Sequence, residues 1–99
     1  MERGGWVYIM TNKNKTTLYV GVTSNLPARI FQHKSHYYPR SFTAKYNLEY
    51  CIYFECHSTI IEAIAREKEI KKWRREKKII LITEANPMLE DLTDKLDSW

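Results

Sequence analysis

Two β-rich runs near the start of the chain constrain its fold more than any other feature. They are Trp6-Val7-Tyr8-Ile9-Met10 and Leu18-Tyr19-Val20-Gly21-Val22. Both are built from β-branched and aromatic side chains that fit a pleated surface. Residues 11–17 between them are polar, and Asn12-Lys13-Asn14-Lys15 supplies turn chemistry. Two such runs joined by a short polar loop predict an antiparallel hairpin.

The rest of the chain alternates helix and strand signals. Ser24 or Asn25 can cap a helix that tolerates Pro27 in its first turn and runs to about Lys34, with Leu26 and Ile30 on its apolar face. Residues 36–40 read as a loop ended by Pro39. Residues 47–55 (NLEYCIYFE) predict a third strand in the same sheet. Ser58 or Thr59 then caps a second long helix, and Glu62 stands at the capping-box position relative to Thr59. That helix reaches roughly Trp73. Helix resumes near Arg75 and extends to about Thr83, and Asn86-Pro87 stops it.

The order β-β-α-β-α-α predicts an α/β (α+β) fold, a small, three-stranded, mainly antiparallel sheet flanked by helices. A chain of 99 residues predicts a single domain over 1–99, ending in an acidic tail at 84–99 with Leu89, Leu92, Leu96 and Trp99 as docking points.

Composition excludes several classes. Hydrophobic residues at 43% and charged residues at 28% argue against a disordered tail or a coiled-coil rod. No apolar run approaches the roughly 18–20 residues that span a bilayer. Residues 1–5 lack the apolar stretch of a secretory signal. A soluble, cytoplasmic protein without a membrane partner is expected. Cys51 and Cys56 are separated by an odd number of positions, so strict strand alternation points them to opposite faces and predicts no disulfide between them.

Charge is unevenly distributed. Residues 66–78 carry eight basic and three acidic side chains, whereas residues 84–99 carry one and five. A dense basic block can attract a polyanion. The same block also reads as a solvated helix face with i,i+4 pairs such as Glu67–Lys71.

Several residues stand where packing alone does not put them. On the second long helix, Glu67 shares a face with Ile60, Ala63, Ile64 and Ile70, while Glu62 and Glu69 fall on the other side. A carboxylate on an apolar stripe needs a cation, a metal or hydrogen-bond donors, because a bare buried charge costs several kcal/mol. A Glu at the rim of the core, paired with Lys or Arg, meets that need as well as a metal does. On the first helix, Arg29 and His33 are i,i+4 neighbours beside the Leu26–Ile30 stripe. Together they can hold a phosphate and move a proton. A packed histidine is the plainer alternative. Tyr8 and Tyr19, one on each hairpin strand, have an ordinary packing role as well, and Asn86 an ordinary turn role.

Taken together, these residues resemble the GIY-YIG nuclease superfamily. The first motif stands as Trp6-Val7-Tyr8 and the second as Tyr19-Val20-Gly21, followed by Arg29 and His33, then Glu67, then Asn86. The resemblance covers nearly the whole chain and is strongest to the small single-domain bacterial branch, which is similar to the nuclease domain found in an excinuclease. Residues 62–68 (EAIAREK), Ile70-Lys71-Lys72-Trp73 and Asn86-Pro87 share that likeness. Trp6 replaces the name-giving glycine, and Val22 stands where some members carry a lysine.

The resemblance implies a metal-dependent DNA endonuclease of repair or recombination, acting on branched or damaged DNA. It implies Glu67 as the protein ligand of Mg2+ or Mn2+. Arg29 would hold the scissile phosphate, and Tyr19 or His33 would be the general base. Tyr8 would orient water or phosphate, and Asn86 would support the site. Lys68, Lys71, Lys72, Arg74 and Arg75 would contact backbone phosphates without reading sequence. The alternative is a non-catalytic module that keeps the fold and binds nucleic acid or protein.

Overall fold

The computed structural model describes residues 4–96. Trp99, named above as a docking point, lies outside them. The hairpin is present as β1 (Gly5–Thr11) and β2 (Leu18–Thr23), antiparallel, with Tyr8 opposite Gly21 and Met10 opposite Tyr19. Asn12 organises the connecting loop by accepting the backbone N–H of Thr16 at 2.8 Å. The third strand, β3 (Tyr50–His57), pairs antiparallel with β1, so the sheet order is β2-β1-β3 with β1 in the centre. The strand begins later than its composition suggests, because residues 47–49 are spent in a turn around Asn47, whose φ is 57°.

Alternate residues of β1 build two cores on the two faces of the sheet. Trp6, Tyr8 and Met10 pack with Leu26 and Ile30 of α1 (Leu26–Lys34) and with Leu48, Cys51 and Leu96. Val7 and Ile9 pack with Ala63 and Ile70 of α3 (Ile60–Lys71) and with Ile82 of α4 (Arg75–Ala85). Two single-turn helices had no separate signal, α2 (Phe42–Lys45) and α5 (Thr93–Leu96). One turn is too short for a helical period to register. The α2 turn is capped by Ser41, whose Oγ accepts from the Ala44 N–H.

The helix ends follow local chemistry. Asn25 caps α1, and Thr59 caps α3 in a complete capping box with Glu62. The apolar stripe of α3 is narrower than the sequence implies. Ile60 and Ile64 are about one-third exposed, at 37% and 36%, and the buried line is Ala63, Glu67 and Ile70.

One irregularity overturns the expectation for the cysteines. Ile9 pairs with Tyr53 but Met10 pairs with Cys51, so Ile52 is an extra residue in β3. The bulge breaks the alternation. Cys51 opposite Met10 and Cys56 opposite Trp6 therefore fall on one face, and both thiols are free. The acidic stretch is anchored at residues 91–92. Asp91 accepts the Cys51 N–H at 3.1 Å and pairs with Lys34 at 2.6 Å, while the Leu92 N–H donates to the Cys51 carbonyl at 2.7 Å. Segment 91–92 thus covers polar groups on the outer edge of β3. No helix among the described residues is long and apolar enough to cross a membrane.

Candidate active site

The hairpin register sets the two tyrosines. Tyr8 faces Gly21 and Tyr19 faces Met10, so both phenols project from the face that carries α1. Gly21 makes room for this. A Cβ there would stand 2.4 Å from Cζ and Oη of Tyr8, so the ring lies directly against the β2 backbone. From α1, His33 meets the phenol, with its Nε2 2.8 Å from Tyr8 Oη. The three rings form one cluster, with centroids 5.5 Å apart for Tyr8–His33, 5.8 Å for Tyr19–His33 and 6.3 Å for Tyr8–Tyr19.

Electrostatics follow from this burial. Desolvation pushes the Tyr8 phenol well above its ordinary value, the neighbouring Tyr19 adds to the rise, and Arg29 pulls the other way. Burial, with the positive charge of Arg29 adding to it, lowers the His33 imidazole to about 4. At neutral pH the pair is therefore a neutral phenol and a neutral imidazole. Which atom donates between Tyr8 Oη and His33 Nε2 follows from the imidazole tautomer, while Arg29 offers donors only.

Tyr19, Arg29 and His33 open onto a concavity of about 340 Å³, which Gln32, Tyr38, Ser41, Phe42 and Thr43 also line. None of these last five stood out in the sequence. Phe42 stacks on Tyr19 at 6.2 Å and meets Tyr46 at 4.8 Å, and Tyr38, Phe42 and Tyr46 are all exposed. The only signal for them was an aromatic-rich loop, SHYYPRSFTAKY, which carries no helical or strand period.

The structure thus brings together Tyr8, Tyr19, Arg29 and His33. Glu67 is not among the residues lining the concavity. It belongs to α3, whose buried neighbours pack on the Val7–Ile9 face. Its side chain is 12% exposed, and its Oε2 lies 2.8 Å from Lys71 Nζ, on a lysine half in solvent. Among the described residues no group of three or more His, Cys, Asp or Glu is placed to hold a metal ion.

Asn86 also lies away from the concavity. Its Nδ2 donates to the carbonyls of Ile52 at 2.9 Å and Glu90 at 2.8 Å, and its Oδ1 accepts the Glu90 N–H at 3.1 Å. It satisfies the carbonyl of the bulge residue, so its amide is occupied by backbone.

Lys68, Lys71, Lys72, Arg74 and Arg75 are all exposed. Arg75 is tied down, donating to the carbonyls of Lys15 at 2.8 Å and Thr16 at 3.1 Å.

Residues 4–79 match the family model described as the GIY-YIG catalytic domain. The chain belongs to the GIY-YIG family. GIY-YIG domains are a nuclease family, and their members generally use divalent metals. Among curated relatives, this GIY-YIG chain is 33% identical over 82 residues to a UPF0213 protein of Syntrophus aciditrophicus, covering 83% of the chain and 92% of the relative. It is 35% identical over 79 residues to the UPF0213 protein SH2523 of Staphylococcus haemolyticus, covering 80% and 94%. Among solved structures, it resembles the solution NMR structure of the UPF0213 protein BH0048 from Bacillus halodurans. The TM-score is 0.56 at 26% identity, over 90% of this chain and 93% of that one.

Proposed function

We propose that this GIY-YIG domain is a divalent-metal-dependent DNA endonuclease, hydrolysing phosphodiester bonds in branched or damaged DNA during repair or recombination. The supporting observation is the convergence of Tyr19, Arg29 and His33 on one open concavity, with the Tyr8 hydroxyl joined to His33.

Arg29 holds the scissile phosphate through its planar set of donors, which matches two phosphate oxygens. Tyr19, on the same concavity, orients the phosphate or the attacking water. As the water oxygen forms its bond to phosphorus and the P–O3′ bond breaks, Tyr19 or His33, both on the concavity, takes the water's proton, and solvent protonates the departing O3′. Tyr8, fully buried and bonded to His33 Nε2, holds the imidazole in place rather than meeting the water. Burial is the larger cause of the lowered imidazole, and an anionic phosphate beside Arg29 offsets the smaller part that comes from the guanidinium charge.

Glu67 would hold Mg2+ or Mn2+. A nearly buried carboxylate with a half-exposed lysine partner fits such an ion, because magnesium takes one or two carboxylates, phosphate oxygens and several waters. Such a cation would supply neutralising charge to a bound phosphate, with Glu67 approaching from outside the Tyr19–Arg29–His33 concavity. Lys68, Lys71, Lys72 and Arg74 would contact flanking phosphates. The exposed rings of Tyr38, Phe42 and Tyr46 offer faces for unpaired bases. Asn86 would support the site by holding the β3 bulge.

The test is cleavage of supercoiled and branched DNA with Mg2+ or Mn2+, comparing the wild type with Tyr8→Phe, Tyr19→Phe, Arg29→Ala, His33→Gln and Glu67→Ala. Loss of metal-dependent cleavage in Arg29→Ala, His33→Gln and Glu67→Ala supports the assignment. Cleavage that survives Glu67→Ala removes that residue from the metal site. Binding without cleavage on every substrate favours the non-catalytic module.

A further inference from the structure

On the far side of the His33 ring, away from Tyr8, Nδ1 lies 2.8 Å from Oγ1 of Thr43. Thr43 is the second residue of α2 and is 2% exposed. Its Oγ1 lies 3.2 Å from Oγ of Ser41, the residue that caps the same turn. Tyr8, His33, Thr43 and Ser41 therefore form one continuous chain of hydrogen bonds, and each link constrains the next.

We propose that Thr43 is a positioning residue that fixes His33 as the tautomer with its proton on Nδ1, leaving Nε2 bare for the Tyr8 phenol. The reading rests on the nuclease function proposed above. Two directions of the chain are conceivable. In one, Tyr8 donates to Nε2, Nδ1–H donates to Thr43, and the Thr43 hydroxyl donates to Ser41. In the other every arrow reverses, Nε2–H points at Tyr8, and the phenol proton faces an imidazole donor on one side and the Arg29 donors on the other. A buried hydroxyl left facing donors loses its hydrogen bond and its hydration together, so the first direction is the stable one.

The first direction also suits the chemistry. When His33 accepts the second proton, both ring nitrogens must donate. Thr43 Oγ1 already accepts from Nδ1, so the imidazolium forms without the Thr43 hydroxyl turning. This gives α2 a purpose beyond closing a loop, because Ser41 caps the turn that carries Thr43 under the ring.

The experiment is nitrogen NMR of the His33 ring at neutral pH in the wild type, Thr43→Val and Thr43→Ser, alongside cleavage kinetics with Mn2+. Valine keeps the shape and removes the acceptor, while serine restores it. The expected result is an Nδ1–H tautomer in the wild type and in Thr43→Ser, and a shift toward Nε2–H in Thr43→Val. Cleavage by Thr43→Val should fall about tenfold to a hundredfold in kcat, the usual range for losing an orienting partner of a working histidine, with KM changed less than about twofold. Thr43→Ser should recover most of it. Thr43→Ala gives the same ring readout should valine unsettle α2. A wild type with its proton on Nε2, or a Thr43→Val protein that keeps the wild-type tautomer, overturns the proposal. A wild type that cuts no DNA yet shows the Thr43-dependent tautomer overturns the nuclease reading and leaves the hold of Thr43 on His33 supported.

Discussion

The phenol of Tyr8 occupies the space where Gly21 would carry a side chain. The two residues face each other across β1 and β2, and a Cβ on Gly21 would sit 2.4 Å from Tyr8 Cζ. The glycine of the second motif thus serves the tyrosine of the first, letting its ring lie flat enough to reach His33.

Gly21→Ala should therefore act through Tyr8. Displacing a buried ring is an overpacking change, costing about 1–3 kcal/mol. In a Tyr8→Ala background the same substitution should cost clearly less, because the obstruction is gone. Urea denaturation of the four proteins in the cycle measures the coupling. Additivity within about 0.5 kcal/mol would mean that the two residues do not interact in this way.

His33 predicts a pH dependence of stability. Burial and Arg29 hold it at about 4 in the folded protein, below its ordinary value of 6.5, so the unfolded chain binds more protons between those values. Its contribution is complete above 6.5 and drains away as pH falls toward 4. Discounted for its partial exposure, the loss is about 1–2 kcal/mol. Replacing it with Gln should flatten the stability profile over this window. Glu55 acts lower down. Burial tends to raise its carboxyl, but hydrogen bonds from Tyr53, His57 and Arg66 outweigh that and hold it below 4.5, so its contribution fades only as pH drops beneath that value. An unchanged slope between 6.5 and 4.5 in His33→Gln would remove the linkage.

Asn86→Ala should weaken the fold more than the chemistry. The substitution strands the bulge carbonyl of Ile52 and releases the turn to Glu90, at a cost of about 1–3 kcal/mol. Thermal melts should show the loss. Well below the new Tm, kcat should stay within about threefold of wild type. A large fall in kcat with an unchanged Tm would instead place the amide in the reaction.

Arg75 and Lys72 should separate cleanly. Arg75 clamps the hairpin loop through Lys15 and Thr16, whereas Lys72 is exposed at the end of α3. Arg75→Ala should lower stability by about 1–2 kcal/mol. Lys72→Ala should leave the melt unchanged, weaken DNA binding across sequences and reduce the salt slope by about 1. Equal effects of both on binding alone would return Arg75 to the phosphate-contacting set.

Local chemistry was legible from residue order. The hairpin, the Thr59–Glu62 capping box, the i,i+4 placement of Arg29 and His33 and the burial of Glu67 all depend on neighbours a few positions away. Nonlocal packing decided the rest. The bulge at Ile52, whose carbonyl accepts from Asn86, put Cys51 and Cys56 on one face. The α2 turn acquired its meaning only when Thr43 met a ring ten residues earlier. Glu67 is buried as its helix face implies, yet which side of the sheet receives that face was set by how α3 packs on Val7 and Ile9. Helical and strand periods specify which side chains travel together, but a sheet has two faces, and only the assembled chain assigns each helix to one of them.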